Sequence, residues 1–292
     1  MRAVFNVFSG TGNTDKVCRA IMAEWTDAGV ECKYVHIGKD CEVRDPNKFD
    51  RMVIGYPVHA FNAPQPVFEF IKKLPQCSGG VLVYLVKTSG EPLGLNDGSC
   101  AHMYDLLRKK GYKVCGEYHY VMPYNMIFRH SDGMAARMWQ AALRRIPFES
   151  REMLEGRVKK LKKGPLNRLV SFIFRIEHPA MHMIGKRFKA TDACTGCGKC
   201  ARGCPQKNIT MANGKPVFGG HCVGCVKCSF GCPEGAIKIG VLNGWRVNGS
   251  YDFSGVPATD DEVCRYCRRS YIKYFREAEK YPLPGEGKNT GM

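Results

Sequence analysis

The chain has 292 residues, of which 44% are hydrophobic, and carries 44 lysines and arginines against 27 aspartates and glutamates, a formal net charge of +17. No apolar run approaches the roughly 20 residues that a membrane-spanning helix needs; the best candidate, Leu169–Phe174, is short and lies between Arg168 and Arg175. The 16 cysteines would suggest disulfides in a small secreted chain. Because the first residues already predict a strand and no signal peptide is visible, we instead expect a reducing, cytoplasmic location.

The first predicted strand, residues 2–8, leads into a loop rich in glycine and hydroxyl side chains, and a helical pattern follows through Ala28. Backbone N–H groups and the helix dipole at such a loop attract an anion, hydroxyl groups donate hydrogen bonds, and glycines permit close approach. No lysine follows the second glycine, as an ATP-binding P-loop requires, and the dinucleotide pattern GxGxxG is absent. We therefore expect a phosphate cradle formed by Ser9, Gly10, Thr11, Gly12, Asn13 and Thr14. This loop resembles the phosphate loop of flavodoxins, which holds the FMN phosphate without a basic residue, and the resemblance implies FMN as the ligand.

Strand-like runs recur along the N-terminal part of the chain, at residues 2–8, 32–37, 51–56, 80–86 and 112–121. Helical patterns separate most of them, at residues 14–28, 66–74 and 99–110. This alternation predicts an α/β fold with a doubly wound parallel sheet of five strands. Ligands of such sheets bind at the carboxyl ends of the strands, near the topological switch point.

The loops after the third and fourth predicted strands share that edge with the phosphate cradle. The first brings aromatic side chains to the place where a flavin ring would lie, although ordinary packing of Tyr56 and Phe61 is an equal alternative. The second offers a glycine-rich backbone that could bind the polar edge of the ring. His59 is the one histidine considered near the flavin N5, and a simple loop hydrogen bond is as good an explanation. The predicted FMN contacts in these loops are Tyr56, Pro57, Val58, His59, Ala60, Phe61, Asn62, Thr88, Ser89, Gly90 and Glu91.

A basic helical connector is expected after the sheet. Predicted helices cover residues 132–145, the segment marked by Leu154, Val158 and Leu161, and residues 167–177. Pro147 and Pro179 are expected to end the first and the third, and a Glu155–Lys159 pair supports the second. We expect the apolar stripes of these helices to pack between the domains; binding to a membrane surface is the alternative.

Two runs of four cysteines follow, each of the form C-x2-C-x2-C-x3-C-P, and their first residues, Cys194 and Cys222, are 28 positions apart. This spacing is typical of two-cluster bacterial ferredoxins, in which three close cysteines bind one 4Fe–4S cluster and the fourth binds the other. Four-cysteine zinc sites also use C-x2-C pairs. A zinc site would not require three evenly spaced cysteines followed by Cys-Pro, and here this pattern occurs twice. We expect one cluster on Cys194, Cys197, Cys200 and Cys232, and the other on Cys222, Cys225, Cys228 and Cys204.

Two weaker patterns predict no metal site. Cys264 and Cys267 have the spacing of a zinc pair, but no second pair remains, and thiols packed inward from a helix explain them better. His178 and His182 are four residues apart with Pro179 between them and no acidic third ligand, so we interpret them as surface or core histidines.

The chain resembles the two-domain family, found widely in anaerobic bacteria, that fuses a flavodoxin domain to a ferredoxin with two 4Fe–4S clusters. The resemblance lies in Ser9–Thr14, Tyr56–Pro64, Lys87–Pro92 and the eight cysteines. We accordingly expect a flavodoxin-like FMN-binding domain at 1–130, the basic connector at 131–189, a small α+β bacterial two-cluster ferredoxin domain at 190–240, and a C-terminal extension packing on the core at 241–292.

The resemblance implies electron transfer between FMN and the two 4Fe–4S clusters, coupling one- and two-electron steps for a redox partner. One alternative is a self-contained oxidoreductase that reduces a small molecule at the flavin. Another is a ferredoxin on a flavin-free scaffold. No catalytic residue can be named, because no Ser/His/Asp set or carboxylate pair stands out.

The positive charge is concentrated in residues 134–190, which hold 14 lysines and arginines against 4 acidic residues. The simplest explanation is a solvated basic face. The functional alternative is that an acidic protein redox partner docks on the connector. Nucleic acid is not expected, because two clusters and an FMN phosphate would add roughly six negative charges.

Overall fold

The computed structural model describes residues 1–161, 164–259 and 268–284. Five parallel strands form one sheet: β1 (Arg2–Val7), β2 (Glu31–His36), β3 (Arg51–Pro57), β4 (Leu82–Ser89) and β5 (Lys113–Val121). Their spatial order is β2-β1-β3-β4-β5, which is the flavodoxin-like doubly wound order. The predicted α/β fold is therefore confirmed, and the switch point falls between β1 and β3.

Helices cover both faces of this sheet because its central strands are apolar on both sides. On one face lie α1 (Asn13–Asp27) and α4 (Asp132–Leu154), which bury Trp25 and Ile146 with β1 and β5. On the other face lie α2 (Gln65–Lys73) and α3 (Ala101–Lys109), which bury Phe70 and Met103. These two layers fix the carboxyl ends of the strands along one edge.

The helix α4 corrects the expectation that Pro147 ends the first connector helix, since α4 runs from Asp132 to Leu154 with Pro147 inside it. A proline in a helix interior removes one hydrogen bond and costs about 3 kcal/mol. Burial of Met138, Ile146 and Met153 on both sides of Pro147 offsets this cost. Tertiary packing thus overrides the local signal.

The second predicted connector helix, marked by Leu154, Val158 and Leu161, does not form. The chain leaves α4 at Gly156, whose φ is +78°, and runs beside β5, where the Lys159 N–H donates to the Cys115 carbonyl over 2.7 Å. The Glu155–Lys159 pair was wrong as well. Lys159 Nζ lies 2.7 Å from Glu152, and Glu155 pairs with Arg157 at 3.3 Å.

The third predicted helix is two helices, α5 (Pro165–Phe174) and α6 (Glu177–Gly185). Pro179 does not end a helix, because it lies in the first turn of α6, where a backbone N–H has no partner in any case. The expectation that the apolar stripe packs between domains was also wrong: Leu169 and Ile173 are exposed.

The cysteine-rich segment contains only short elements. The strand β6 (Lys189–Ala190) pairs antiparallel with β9 (Ile237–Lys238), and β7 (Ile209–Ala212) forms a hairpin with β8 (Lys215–Phe218). Two small helices, α7 (Lys199–Gly203) and α8 (Lys227–Phe230), follow the second cysteine of each run. Elements of this size bury too little apolar surface to be stable by themselves, so the segment depends on its neighbours or on ligands.

A short 3₁₀ helix at Gly240–Trp245 follows, and α9 (Arg268–Glu279) packs Tyr271 and Phe275 against Met134 of α4. Cys264 and Cys267 lie outside the described residues. Within the described parts of the chain, no helix has the length and apolar character that crossing a bilayer requires.

Candidate functional site

A cavity of about 400 Å³ opens at the carboxyl-end edge of the sheet. It is lined by all three loops that the sequence predicts to share this edge. The predicted residues that line it are Ser9, Gly10, Thr11, Asn13, Thr14, Pro57, Val58, His59, Ala60, Thr88, Ser89 and Gly90. Among the described lining residues there is no lysine or arginine, so an anion in this cavity would rely on N–H groups and hydroxyls.

The first loop is organised by its own hydrogen bonds. Ser9 Oγ accepts from the N–H of Gly12 at 3.2 Å and from that of Asp15 at 3.3 Å. Gly12, with a φ of 107°, precedes α1 in the left-handed region that favours glycine. Thr14 Oγ1 lies 2.7 Å from Thr88 Oγ1, which joins this loop to the end of β4. Gly12 itself faces a neighbouring groove, whose lining includes Lys199 and Lys227.

Tyr56, Phe61, Asn62 and Glu91 do not line the cavity. The Tyr56 ring is buried in the core, and its hydroxyl donates to Glu117 Oε1 over 2.5 Å. Phe61 packs on Phe174 with ring centroids 5.0 Å apart. Asn62 donates to the carbonyl of Ser171 on α5. The predicted place of Tyr56 and Phe61 beside a flavin ring is therefore corrected: their rings are used for packing.

Other residues complete the cavity, and sequence analysis missed them. Met122–Ile127 follow β5 and could have been predicted, because the end of every parallel strand reaches the same edge. Trp245 comes from the distant 3₁₀ helix, and no local pattern marks it. The lining contributed by α6 and by the cysteine-rich segment, Glu177, Met181 and Gly224–Val226, depends on tertiary contacts that no sequence spacing reveals.

Glu177 is the acidic residue in this lining. Its carboxyl group lies against Gly224, since a Cβ built there would be 3.2 Å from Glu177 Oε1. Burial raises the pKa of Glu177 from its ordinary value of 4.5 to about 7, because desolvation penalises the charged carboxylate. This acid can therefore hold or release a proton near neutral pH.

We expect the Glu177 carboxyl to titrate near pH 7. Infrared spectra should show a protonated carboxyl band that disappears as the pH rises through about 7 and is absent from Glu177→Gln. Because its folded-state pKa is raised, the native state binds more protons than the unfolded state between pH 4.5 and about 7. The free energy of unfolding should therefore fall as the pH rises through this window, by at most about 3 kcal/mol. Glu155→Gln on the surface is the control, and a Glu177 band lost near pH 4.5 would contradict the prediction.

His59 joins the cavity to the cysteine-rich segment. Burial lowers its pKa to about 4, an effect that a hydrogen bond with the Val223 backbone partly opposes. The imidazole is therefore neutral at pH 7. His59 can orient the loop through its contact with Val223. Glu177, and not His59, can hold a proton near neutral pH.

The eight cysteines of the two runs gather around two small cavities. One is lined by Cys194, Cys197, Cys200 and Cys232. The other is lined by Cys204, Cys222, Cys225 and Cys228. These are the two sets that the spacing groups together, each with a fourth cysteine from the other run. Every cysteine in the described ranges is a free thiol.

Each cysteine set has four thiols around one cavity, which is the number of ligands that a 4Fe–4S cluster takes. Across the described residues, no three His, Cys, Asp or Glu side chains are placed to hold one metal ion. A four-iron cluster takes one thiolate at each iron, so its ligands surround a volume instead of converging on a point. The fourth cysteine of each run also accepts a backbone N–H at 3.4 Å, from Asn208 to Cys204 and from Ala236 to Cys232, as cluster sulfurs commonly do.

We call Cys204, Cys222, Cys225 and Cys228 the inner set, and Cys194, Cys197, Cys200 and Cys232 the outer set. Burial opposes ionisation of the thiols in the inner set. Burial, together with the nearby thiols of Cys222 and Cys204, raises the pKa of Cys225 to about 12, although a hydrogen bond with the Lys227 backbone partly opposes this shift. Burial also raises the pKa of Cys228 and Cys222. These groups stay protonated at neutral pH unless a cation joins them, because metal binding and thiol deprotonation are coupled.

The cavity at the sheet edge and the inner cysteine set are in direct contact. Cys225 and Val226 line both. The Gly10 backbone lies against Cys225, since a Cβ built on Gly10 would be 2.5 Å from the Cys225 carbonyl oxygen. A second contact ties the segment to the sheet, where the Lys39 N–H donates to the Pro205 carbonyl over 2.9 Å. The two cavities are thus held side by side by backbone contacts.

No protein-family model matches the chain, and no curated protein matches it. Among solved structures, it is similar to a flavodoxin of Streptococcus pneumoniae TIGR4, with 17% identity over 41% of this chain and 84% of the other and a TM-score of 0.34. It is also similar to an FMN complex of a Lactobacillus acidophilus flavoprotein, with 18% identity over 40% and 92% and a TM-score of 0.32. A Bacillus anthracis azoreductase aligns with 12% identity over 52% and 100% and a TM-score of 0.39.

These likenesses are weak, and the assignment of the sheet rests on its own topology. The strand order β2-β1-β3-β4-β5, with a cavity at the carboxyl ends of the strands, defines the N-terminal part of the chain as a flavodoxin-like α/β domain.

Proposed function

We propose that the protein transfers electrons between an FMN in the cavity and two 4Fe–4S clusters on the eight cysteines, for a protein redox partner. The observation that carries this proposal is the shared wall of the two sites at Cys225 and Val226. FMN accepts one or two electrons and each cluster carries one, so joining them couples one- and two-electron steps. Side-by-side sites are what such coupling requires.

Different loops of the cavity would contact different parts of FMN. Ser9–Thr14 supply N–H groups and hydroxyls for a phosphate, with Lys199 and Lys227 in the adjoining groove adding positive charge. The rest of the cavity is lined by Pro57–Ala60 and Thr88–Gly90. Tyr124 and Trp245, which come from other elements, complete its wall. Apolar side chains exclude water there, which strengthens the polar contacts that remain.

The cysteines would hold one cluster near the cavity and one near the surface. Cys225 and Cys228 belong to the inner set, which Phe188 and Phe218 help to enclose. Cys197 of the outer set is exposed. An electron exchanged with a partner would therefore leave or enter at the outer set, and the inner set would connect it to the cavity.

A protein partner is better placed at Cys197 than on the basic connector. Lys159 is engaged by Glu152 at 2.7 Å and by Glu149 at 3.8 Å, and Arg157 pairs with Glu155. Two further cations of the connector, Lys162 and Lys163, lie outside the described residues. The segment 191–240, which contains Cys197, carries 6 lysines and arginines against 2 acidic residues; Lys207 and Lys215 are paired with Asp40 and Asp192, and the net positive charge of the segment favours an acidic partner.

The proposal is tested by anaerobic purification with iron, sulfide and flavin measured on one sample. We expect about eight iron, about eight sulfide and about one FMN per chain. Eight iron without flavin, even after FMN is added, would contradict the flavin part and leave a ferredoxin on a flavin-free scaffold. Zinc in place of iron would overturn the cluster assignment.

A second candidate function is reduction of a small molecule at the flavin. Glu177 favours it, because this acid lines the cavity and has a pKa of about 7, suited to giving a proton to a substrate. The Glu177→Gln variant separates the two functions. Electron transfer to an external one-electron acceptor should be unchanged, whereas reduction of a two-electron acceptor should lose its pH dependence near 7.

A further inference from the structure

The helix α5 is attached to the rest of the protein by its polar side. Ser171 is buried, and its hydroxyl donates to Asn62 Oδ1 over 2.6 Å, while Asn62 Nδ2 donates back to the Ser171 carbonyl over 2.8 Å. One turn earlier, the Asn167 backbone lies against Gly98, where a Cβ would be 2.2 Å from the Asn167 oxygen. An amphipathic helix of a globular protein ordinarily turns its apolar side inward. Here the orientation is reversed.

The opposite side of α5 is apolar and faces solvent. Residues 166, 169, 173 and 176 follow the i, i+3, i+7, i+10 spacing of one helical stripe, and Phe172 lies beside it. Their side chains are 54% to 72% exposed. We call these residues the α5 apolar face: Leu166, Leu169, Phe172, Ile173 and Ile176. A contiguous exposed group of large apolar side chains generally marks an interaction surface.

The charge around this face is positive. Residues 156–176, which lead into α5 and form it, contain seven lysines and arginines and no acidic residue; Arg168 among them pairs with Asp105 at 2.5 Å. The Arg175 guanidinium lies 5.0 Å from the centre of the Phe172 ring, directly beside the apolar side chains. The surface therefore combines protruding apolar groups with cations.

We propose that the α5 apolar face binds the surface of an anionic lipid bilayer, with the helix in the plane of the membrane. Apolar side chains on one side and basic residues around them are the combination by which interfacial helices bind, and anionic headgroups attract the cations. A second copy of the chain fits less well, because a symmetric contact would bring like charges together. The inference does not depend on any cofactor.

The test is flotation of the full-length protein, as purified, with lipid vesicles. We expect binding to vesicles of phosphatidylglycerol and phosphatidylcholine, weakened by salt, and little binding to phosphatidylcholine alone. The double variant Leu169→Ser/Ile173→Ser should lose at least tenfold in vesicle affinity. The double variant Arg168→Gln/Arg175→Gln should lose several-fold in vesicle affinity and show a weaker salt dependence.

The matched control is Val217→Ser/Val241→Ser, which changes two exposed apolar residues outside α5, one on β8 and one on the 3₁₀ helix. It should bind vesicles like the unmodified protein, and melting curves should show that all variants fold. Equal loss in the control would overturn the proposal, as would absence of binding to anionic vesicles. A dimer that Leu169→Ser/Ile173→Ser dissociates, without vesicle binding, would assign the face to self-association instead.

Discussion

Replacing Cys225 by serine should remove about half of the bound iron and slow electron transfer between flavin and iron on the order of a hundredfold. Cys225 belongs to the inner cysteine set and also lines the cavity at the sheet edge. Serine is a poorer ligand for iron, so the inner cluster should be lost or unstable. Iron and sulfide analysis measures the first effect. Rapid mixing of the reduced protein with an external acceptor measures the second.

Two control variants make this result specific. Cys194→Ser removes a thiol of the outer set and should lower the iron content equally, but leave transfer between the flavin and the proposed inner cluster intact. Cys41→Ser removes a thiol outside both sets and should change neither quantity. Full iron content in Cys225→Ser would show that this thiol is not a ligand, and the proposed cluster arrangement would fail.

The second large effect is expected from Gly10→Ala. An alanine Cβ would lie 2.5 Å from the Cys225 carbonyl oxygen and 2.9 Å from its Cβ, so backbone must move on one side or the other. Overpacking of this kind costs typically about 1–3 kcal/mol, and the shift falls on the loop that would bind the FMN phosphate. We expect FMN affinity to fall about tenfold or more, as measured by fluorescence titration of the flavin.

The control for Gly10→Ala is Gly94→Ala, because a Cβ there meets no atom within 4 Å. Its FMN affinity should match that of the unmodified protein. If Gly10→Ala retains full affinity and stability, the close approach of the two segments is not rigid, and the shared wall loses its importance.

The sheet was predictable because its signals are local. The central strands β1, β3 and β4 are short, mostly apolar runs, and every predicted strand overlaps an observed one. The connector was not predictable in the same way. Pro147 would end an isolated helix, but burial of Ile146 and Met153 beside it keeps α4 continuous. The apolar residues of α5 recur with helical spacing, but this spacing does not indicate which side of the helix faces solvent.

The candidate site was also predictable only in part. Loops at the ends of strands could be assigned to one edge from strand order alone, and Ser9–Thr14, Pro57–Ala60 and Thr88–Gly90 contribute to the cavity. The use of each side chain could not be assigned, because it depends on which way the residue points. Tyr56 points into the core and bonds to Glu117, whereas Trp245 reaches the cavity from far along the chain.

The paired backbone contacts, Gly10 with Cys225 and Lys39 with Pro205, have a consequence for the kinetics of the proposed electron transfer. Many multidomain redox proteins swing one carrier on a flexible hinge between its donor and its acceptor. Here the cysteine-rich segment contacts the sheet domain at two separate points, so we expect the distance between the two cavities to stay constant. Electron flow between them would be set by tunnelling across a fixed gap, independent of solvent viscosity, and only the encounter with an outside partner would be diffusive.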